Sequence, residues 1–493
     1  MKIYPLQGDT SMHTAKNIIL SMLVMTFFGC VQQREHIELP RGFDSAATKA
    51  HIPSNYANRD DKKISDQTIP SQLSLQKCIE VSLRNNPDFS AAKYDVEAAS
   101  SRFEGAKSAL WPKISVVGGY THYNDKIRLV QAAYNGEPGL FTADIASEDI
   151  VLALPLFSGG KDWNNIKATD LLSLSAENKM AFSREELIFN VTSLYMSILA
   201  EEHVIRALEF SYAALEEQAK RITSLINEQK AANVDLLRAE VRLADVREKI
   251  ILEKNIYATT RLSLINMLGT PIDEKKLSLS DQLLPPMATT VDNQYELKEV
   301  LKKRKDYQAA LNSLEAQSKN IAIAQAAFLP TVGLKAAYGQ RQTVGPYLTV
   351  LDSKRNAIDL KENVEVASVG VVFEIPLFEG GNTMAKVREE KSKFMAAKNR
   401  LEKLEKQIDL EVRSATLQLQ SAVSRISSTK KAVEQAKESY RIESMKYDLG
   451  KGTILDTLNA QSELITAQVN YYKALADYNI YSAKLRFATG VLS

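Results

Sequence analysis

The chain is one unit used twice. Leu154-Pro155-Leu156-Phe157-Ser158-Gly159-Gly160 recurs as Ile375-Pro376-Leu377-Phe378-Glu379-Gly380-Gly381, a shift of 221 residues. The same shift carries Val191 onto Val412, Asp235 onto Asp456, Ala239-Glu240 onto Ala460-Gln461 and Gly269 onto Gly490. Upstream, Ala109-Leu110-Trp111-Pro112 maps onto Ala327-Phe328-Leu329-Pro330 at a shift of 218. An internal repeat of this length dictates organisation before any single element is assigned. It divides the chain into a first copy over 73–270, a connecting loop over 271–293 and a second copy over 294–493. Only 14 Pro and 20 Gly in 493 residues argue that the elements inside each copy are long.

Within each copy the periodicity switches. After the first Gly-Gly pair, apolar residues fall at Leu187, Val191, Leu194, Ile198, Ile205, Leu208, Tyr212, Leu215, Ala219, Ile222 and Ile226, in alternating steps of four and three. Glu201 alone interrupts this heptad seam. The second copy repeats it at Ile408, Val412, Ala415, Leu419, Ala422, Ile426, Val433, Ala436, Tyr440 and Tyr447. A helix from Lys161 to about Gln229 would be ~100 Å long at ~1.5 Å per residue, too long for a compact globule. The segments 73–110 and 234–268 are also helical in pattern, each reaching ~55 Å, so stacked end to end they match the long helix.

A second kind of sequence precedes each Pro-Leu-Phe motif. Val332, Leu334, Ala336, Tyr338, Ala367, Val369, Val371, Phe373 and Ile375 alternate with Gly, Ser, Lys335 and Glu374. Ile150, Leu152 and Leu154 repeat the pattern in the first copy. Period-two alternation over ~10 residues, apolar on one face and small or polar on the other, is the pattern of a transmembrane β-barrel. It predicts β-hairpins over about 113–156 and 331–377. Membrane sheets must close, and the smallest barrels have ~8 strands, so the four strands of one chain require oligomerisation.

The N-terminus reads as an export signal over 1–29, with Met12 as the expected start of translation. Ile18 to Phe28 is an apolar run of eleven residues, short of the ~20 needed for a spanning helix. Gly29-Cys30 at its end resembles the lipobox of bacterial lipoproteins, although Phe27 departs from the usual aliphatic residue. That resemblance implies lipidation of Cys30, and Val31 in place of an aspartate points to the outer membrane. Residues 30–72, with Pro40, Pro53 and Pro70 and no periodicity, form a tether. Cys78 sits in an apolar helical pattern and is expected to be a buried small residue.

Other chemistries find no support. Lys and Arg total 62 against 60 Asp and Glu, a net +2, which gives no field for nucleic acid. The five His and two Cys are scattered without metal-ligand spacing, and no cofactor is expected. Gly450-Lys451-Gly452-Thr453 lacks the Lys-Ser/Thr step of a phosphate loop and has Lys446 where its first glycine belongs. No nucleophile elbow or dinucleotide fingerprint is present, so an enzyme is not expected.

The doubled Pro-Leu-Phe-x-Gly-Gly motif, the repeat, and Tyr447-Asp448-Leu449-Gly450-Lys451-Gly452-Thr453-Ile454-Leu455-Asp456-Thr457-Leu458-Asn459-Ala460 together resemble the TolC family of outer-membrane efflux proteins over about 73–493. The resemblance implies a mainly α chain with a small β part, trimerising into a 12-stranded outer-membrane barrel continued by a periplasmic α-helical barrel. It implies a passive exit duct for tripartite efflux or type I secretion, served by a periplasmic adaptor and an inner-membrane transporter of RND or ABC type. It also implies a gate at the helix-turn tip. Tyr447 matches a tyrosine that hydrogen-bonds an aspartate matching Asp235, and Asp456 matches a member of an acidic constriction. The second constriction aspartate is here Asn459, and the basic residue of the neighbouring turn is here Gly452, so the latch is expected to be weaker. Read from the residues themselves, Gly450 caps a helix and Asp235 and Asp456 open the next ones. The first tip turn, Asn227 to Val234, carries no glycine and is expected to reverse more stiffly than the Gly450–Gly452 turn. The competing reading is a lipid-tethered periplasmic coiled-coil spacer without a pore.

Overall fold

The computed structural model describes residues 72–132, 139–270, 277–283, 295–345, 347–350 and 363–491. The signal, Cys30 and most of the tether and connecting loop lie outside these residues.

Two helices dominate, each of 67 residues: α3 (Lys161–Asn227) and α7 (Asn382–Asp448). Shorter helices flank them. In the first copy these are α1 (Leu75–Asn85), α2 (Pro87–Lys107) and α4 (Asn233–Leu268). In the second they are α5 (Leu297–Lys303), α6 (Lys305–Ala326) and α8 (Ile454–Ala488). α2 and α4 pack along successive stretches of α3, while α6 and α8 pack against both long helices. The expected end-to-end stacking of short helices along a long one therefore holds in both copies.

The heptad positions are packed, and Val204, one residue before Ile205, joins them. Val204, Leu208, Leu215 and Ile222 of α3 form one core with Ala239 and Val246 of α4 and with Ile454, Leu458 and Ile465 of α8. Tyr195, Leu199 and Val204 are buried off the seam, because α3 is clasped on two sides and needs an apolar face wider than one heptad stripe. Cys78 is fully buried in α1, where desolvation pushes its thiol up to about 12. A two-residue strand β1 (Gln72–Leu73) pairs in parallel with β4 (Ser278–Leu279), and Tyr195 fixes the arrangement by donating to the Leu73 carbonyl at 3.0 Å.

The main sheet contains β2 (Lys113–Arg128), β3 (Gly139–Phe157), β5 (Thr331–Thr343) and β7 (Asn363–Glu374), hydrogen-bonded in the order β2-β3-β5-β7, all antiparallel. A short strand unanticipated from the sequence, β6 (Tyr347–Val350), continues along β3 beyond β5. The register aligns the expected apolar positions across strands. Ile114 lies opposite Leu152, Leu154 opposite Leu334, Leu334 opposite Val371, and Val332 opposite Phe373. Strand alternation puts these side chains on one face, and Lys335 and Glu374 on the other. Tyr338 closes the apolar band beside Ile150 and Ala367, and past it the same face turns polar at Glu148, Gln340 and Glu365, with Tyr120 beyond them opposite Ala146.

The Pro-Leu-Phe-x-Gly-Gly motif turns strand into helix. Pro155 sits at a register shift in β3, where its missing N–H interrupts no regular ladder. Pro376 follows the end of β7. Gly159 and Gly160, like Gly380 and Gly381, all have φ between 60° and 85°, a left-handed pair that aims the chain straight into the long helix.

The repeat survives at atomic level. α1 gives way to α2 at Asn86, which donates to the Met267 carbonyl at 3.2 Å. At the equivalent place α5 gives way to α6 at Arg304, whose Nη1 donates to the Ala488 carbonyl at 3.3 Å. Arg304 is 2% exposed, doubly bonded to Asp306 at 2.6 and 2.9 Å, bonded to Glu411 at 3.0 Å, and set over the rings of Phe182 and Phe487. A buried guanidinium tolerates desolvation only when paired this fully.

The two tip turns are also equivalent in geometry. Lys230 N–H donates to the Leu225 carbonyl and Lys451 N–H to the Lys446 carbonyl, both at 2.8 Å. Gln229 takes φ 62° where Gly450 takes 67°. The first turn thus imposes on an L-residue a geometry that glycine adopts freely. Gln229→Gly is expected to stabilise the α3–α4 turn by about 0.5–1 kcal/mol, after allowing for the greater freedom of glycine in the unfolded chain. Slower amide hydrogen exchange at the ends of α3 and α4 is the measurement, and unchanged or faster exchange would refute the strain.

Candidate functional site at the helix-turn tip

The tip assembles residues from all four long-reach helices. Asp235 lies in the first turn of α4, Tyr447 and Asp448 end α7, and Asp456 and Asn459 lie in the first turns of α8. Sequence reasoning brought Tyr447 and Asp235 together, and the structure places them as neighbours without a hydrogen bond. Tyr447 packs against the α3–α4–α8 core. Its phenol is raised above the ordinary value, first by burial and then by the negative charge of Asp235, with Arg221 opposing. The Asp235 carboxylate instead meets Arg238 at 3.4 Å, one turn along its own helix.

Asp456 is a helix cap. Thr453 Oγ1 accepts from Asp456 N–H at 3.2 Å, and Asp456 Oδ2 accepts from the Thr453 N–H at 3.3 Å and from its hydroxyl at 2.5 Å. This reciprocal box satisfies amides that α8 leaves open at its start. Asn459 lines a shallow groove between α4 and α8 with Val234, Leu237, Arg238 and Leu455. Gly450 ends α7 in the left-handed conformation. At Gly452 an added Cβ would lie 3.0 Å from Lys446 Cβ, so a long basic side chain there would need the α7 end to shift.

The contact that sequence reasoning missed is Arg221 to Asp448, at 2.8 Å. It ties α3 to the last residue of α7 across the tip, and both side chains are about half exposed. The repeat could not reveal it. Under the 221-residue shift Arg221 falls on Ile442 and Asp448 on Asn227, so neither charge has a counterpart. Thr457 adds a second tie, donating from its hydroxyl to the Glu443 carbonyl of α7 at 3.2 Å. Chemically the cluster is a set of ion pairs and hydrogen bonds able to hold helix ends together. No group of His, Cys, Asp and Glu suited to a metal occurs among the described residues.

Known proteins share this architecture. The sequence model of the outer membrane efflux protein family matches residues 78–270 and 297–491, one match to each copy. The outer membrane efflux protein BepC of Brucella suis biovar 1 (strain 1330) is 22% identical over 410 residues, 83% of each chain. The outer membrane protein TolC of Vibrio cholerae serotype O1 (strain ATCC 39315 / El Tor Inaba N16961) is also 22% identical over 410 residues, 83% of this chain and 89% of its own. Among solved structures, the outer-membrane channel OprN superimposes with a TM-score of 0.71 at 19% identity, over 84% of this chain and 89% of that one. With its family model matched across both copies, the chain belongs to the outer membrane efflux protein family.

Proposed function

We propose that this protein is the outer-membrane channel of a tripartite efflux or type I secretion system: a trimeric, passive exit duct held at its periplasmic tip by the contacts just described. The carrying observation is the sheet, whose apolar face is left bare in the protomer. Val369 is 76% exposed and Val371 65%, with Phe373 exposed further along β7 and Ile114 and Val116 exposed on β2. A water-soluble spacer has no use for such a face, whereas a bilayer solvates it. Three copies would pool twelve strands. A periplasmic adaptor and an energised inner-membrane transporter supply the drive, since the duct reading assigns none to this chain. Lipidation at Cys30 would add an anchor beside the barrel, with residues 31–72 as its tether.

The sheet is tested by substitution on its two faces. Val371→Arg is expected to cost ~2–4 kcal/mol near the bilayer midplane and to reduce trimer insertion, whereas Glu374→Gln leaves assembly intact. Heat-modifiable migration in detergent gels reads both. Equal tolerance at the two positions would reject the barrel register, and a chain that never shows heat modification would favour the spacer.

At the tip, an exposed ion pair such as Arg221–Asp448 contributes about 0–1 kcal/mol. Three pairs acting together would reach ~3 kcal/mol, a shift of roughly a hundredfold in the open population. Asp448→Asn and Arg221→Ala are therefore expected to raise single-channel conductance in planar bilayers, and the double variant to add little to either. Tyr447→Phe, which removes a hydroxyl that does not bond Asp235, is expected to act more weakly. A larger effect from Tyr447→Phe than from Asp448→Asn would show that the tyrosine–aspartate bond governs the closed state.

For the anchor, mass spectrometry of the mature protein is expected to find an acylated Cys30 as the first residue. A free thiol at Cys30, or a chain that retains residues 1–29, would exclude lipidation.

A further inference from the structure

Away from the tip, one buried ionic cluster lies in the helical wall, at the position where the α3 heptad seam is broken. Glu201 of α3 and Glu253 of α4 lie with their carboxyl groups in hydrogen-bond reach of one another. Lys473 of α8 donates to Glu253 Oε1 at 3.0 Å. Oε2 of each glutamate is buried with no hydrogen-bond donor from any other group, as expected where a proton between the two carboxyl groups is the missing donor. Two carboxylates cannot bond each other, but a carboxyl and a carboxylate can, so the geometry calls for one proton between them.

The repeat supplies an internal control. Shifted by 221 residues, Glu201 falls on Ala422 of α7 and Glu253 on Ala474 of α8, and both alanines are fully buried. At the equivalent positions of α7 and α8, small apolar residues thus stand in place of the two carboxyl groups. The fold does not require carboxyl groups at this crossing, yet the first copy carries both, and a lysine from a third helix meets them.

We propose that a proton shared between Glu201 and Glu253 fastens α4 and α8 to α3, and that its loss loosens this stretch of the wall and makes the duct easier to open at alkaline pH. Deprotonation leaves two carboxylates facing a single ammonium in a desolvated seam, so the wall gains net repulsion where it had a hydrogen bond. The neighbouring charges are engaged elsewhere. On α3, Glu202 pairs with Arg206 and His203 stacks on Tyr472 of α8. Lys254 of α4 pairs with Glu209 of α3 at 2.6 Å. Asp477 of α8 pairs with Arg425 of α7 at 2.8 Å, and on α1 Glu80 takes both Lys77 and Arg84. Glu253 and Lys473 therefore set the charge that Glu201 meets.

The direction of the effect follows from linkage. Burial, and then the Glu253 carboxylate, push Glu201 up to about 8. Burial opposes the ionisation of Glu253, but the hydrogen bond from Glu201 and the Lys473 cation outweigh it and carry that group below its ordinary value. With Glu201 raised above its unfolded value, the fastening is whole below the ordinary carboxylate range and is lost as pH rises through about 8.

The experiment uses the full-length trimer and two readouts, one of which is independent of the channel reading on which the gating part rests. Infrared difference spectra between about pH 6 and about pH 9 are expected to show a protonated carboxyl band that disappears on the alkaline side and is missing in Glu201→Gln. Over the same range, open probability in planar bilayers is expected to rise roughly tenfold in the parent. It should stay flat in Glu201→Gln, which keeps a neutral donor to Glu253, and in Glu201→Ala/Glu253→Ala, which copies the second repeat. No band in the parent, or a parent-like pH profile in Glu201→Gln, overturns the proposal. A trimer that shows the band but conducts at no pH overturns the duct reading and leaves the shared proton standing.

Discussion

A sheet with two open edges sets the terms for the rest of the molecule. Among the described residues β2 and β7 each pair on one side only, so each presents a row of backbone donors and acceptors with no described strand beside it. In hydrocarbon such a row is untenable, because no water is present to bond it and each unsatisfied group costs several kcal/mol. The apolar face demands lipid and the edges forbid it unless they meet other strands. Joining β7 of one copy to β2 of the next resolves both demands, which is why the proposed function is written for a trimer. No helix among the described residues is long and apolar enough to cross a membrane, so the sheet carries that role in the proposal.

The helices inherit this constraint through the Gly-Gly junctions. Because β3 runs into α3 through Ser158 and a left-handed glycine pair, and β7 runs into α7 through residues 375–381, which end in the same pair, helix placement follows strand placement. Each long helix must then find partners along its whole length. α3 finds them in α1, α2, α4, α6 and α8, and its apolar surface widens accordingly. α7 packs on α6 and α8, and it leaves Leu410 and Leu417 exposed in heptad register.

Long-range periodicity made much of this legible in the sequence. The repeat and its heptads bounded α3 almost to the residue and found the packed seam of α7, and the period-two alternation located the sheet and its apolar face, because both are repeated many times and each repetition reinforces the last. Single-residue events carried no such redundancy. The break between α1 and α2 rests on Asn86 and Pro87, and the interruption between β5 and β6 on one loop. The tip was legible in part. Asp235, Tyr447, Asp456 and Asn459 do gather there, and within the protomer Asp456 caps α8 with Thr453 while Asp235 turns to Arg238, contacts that the resemblance did not supply. Arg221–Asp448 depends on two helices meeting at a particular rotation, which neither periodicity nor repeat alignment encodes.

Where the two copies differ chemically at equivalent positions, geometry is held constant and the difference isolates what a residue adds. Asn86 and Arg304 make the same hydrogen bond to a carbonyl in the last turns of α4 and α8, but only Arg304 also recruits Asp306, Glu411 and two aromatic rings. Gln229 and Gly450 trace the same left-handed turn, with strain in one and none in the other. Glu201 and Ala422 occupy the same seam position, charged in one copy and apolar in the other. In each case the backbone tolerates the simpler solution, so the fold does not explain the more elaborate one. Duplication lets a single chain satisfy the shared packing rules twice while placing polar chemistry in only one of two equivalent walls. A closed ring assembled from three such chains would then alternate between wall segments that respond to charge and segments that do not.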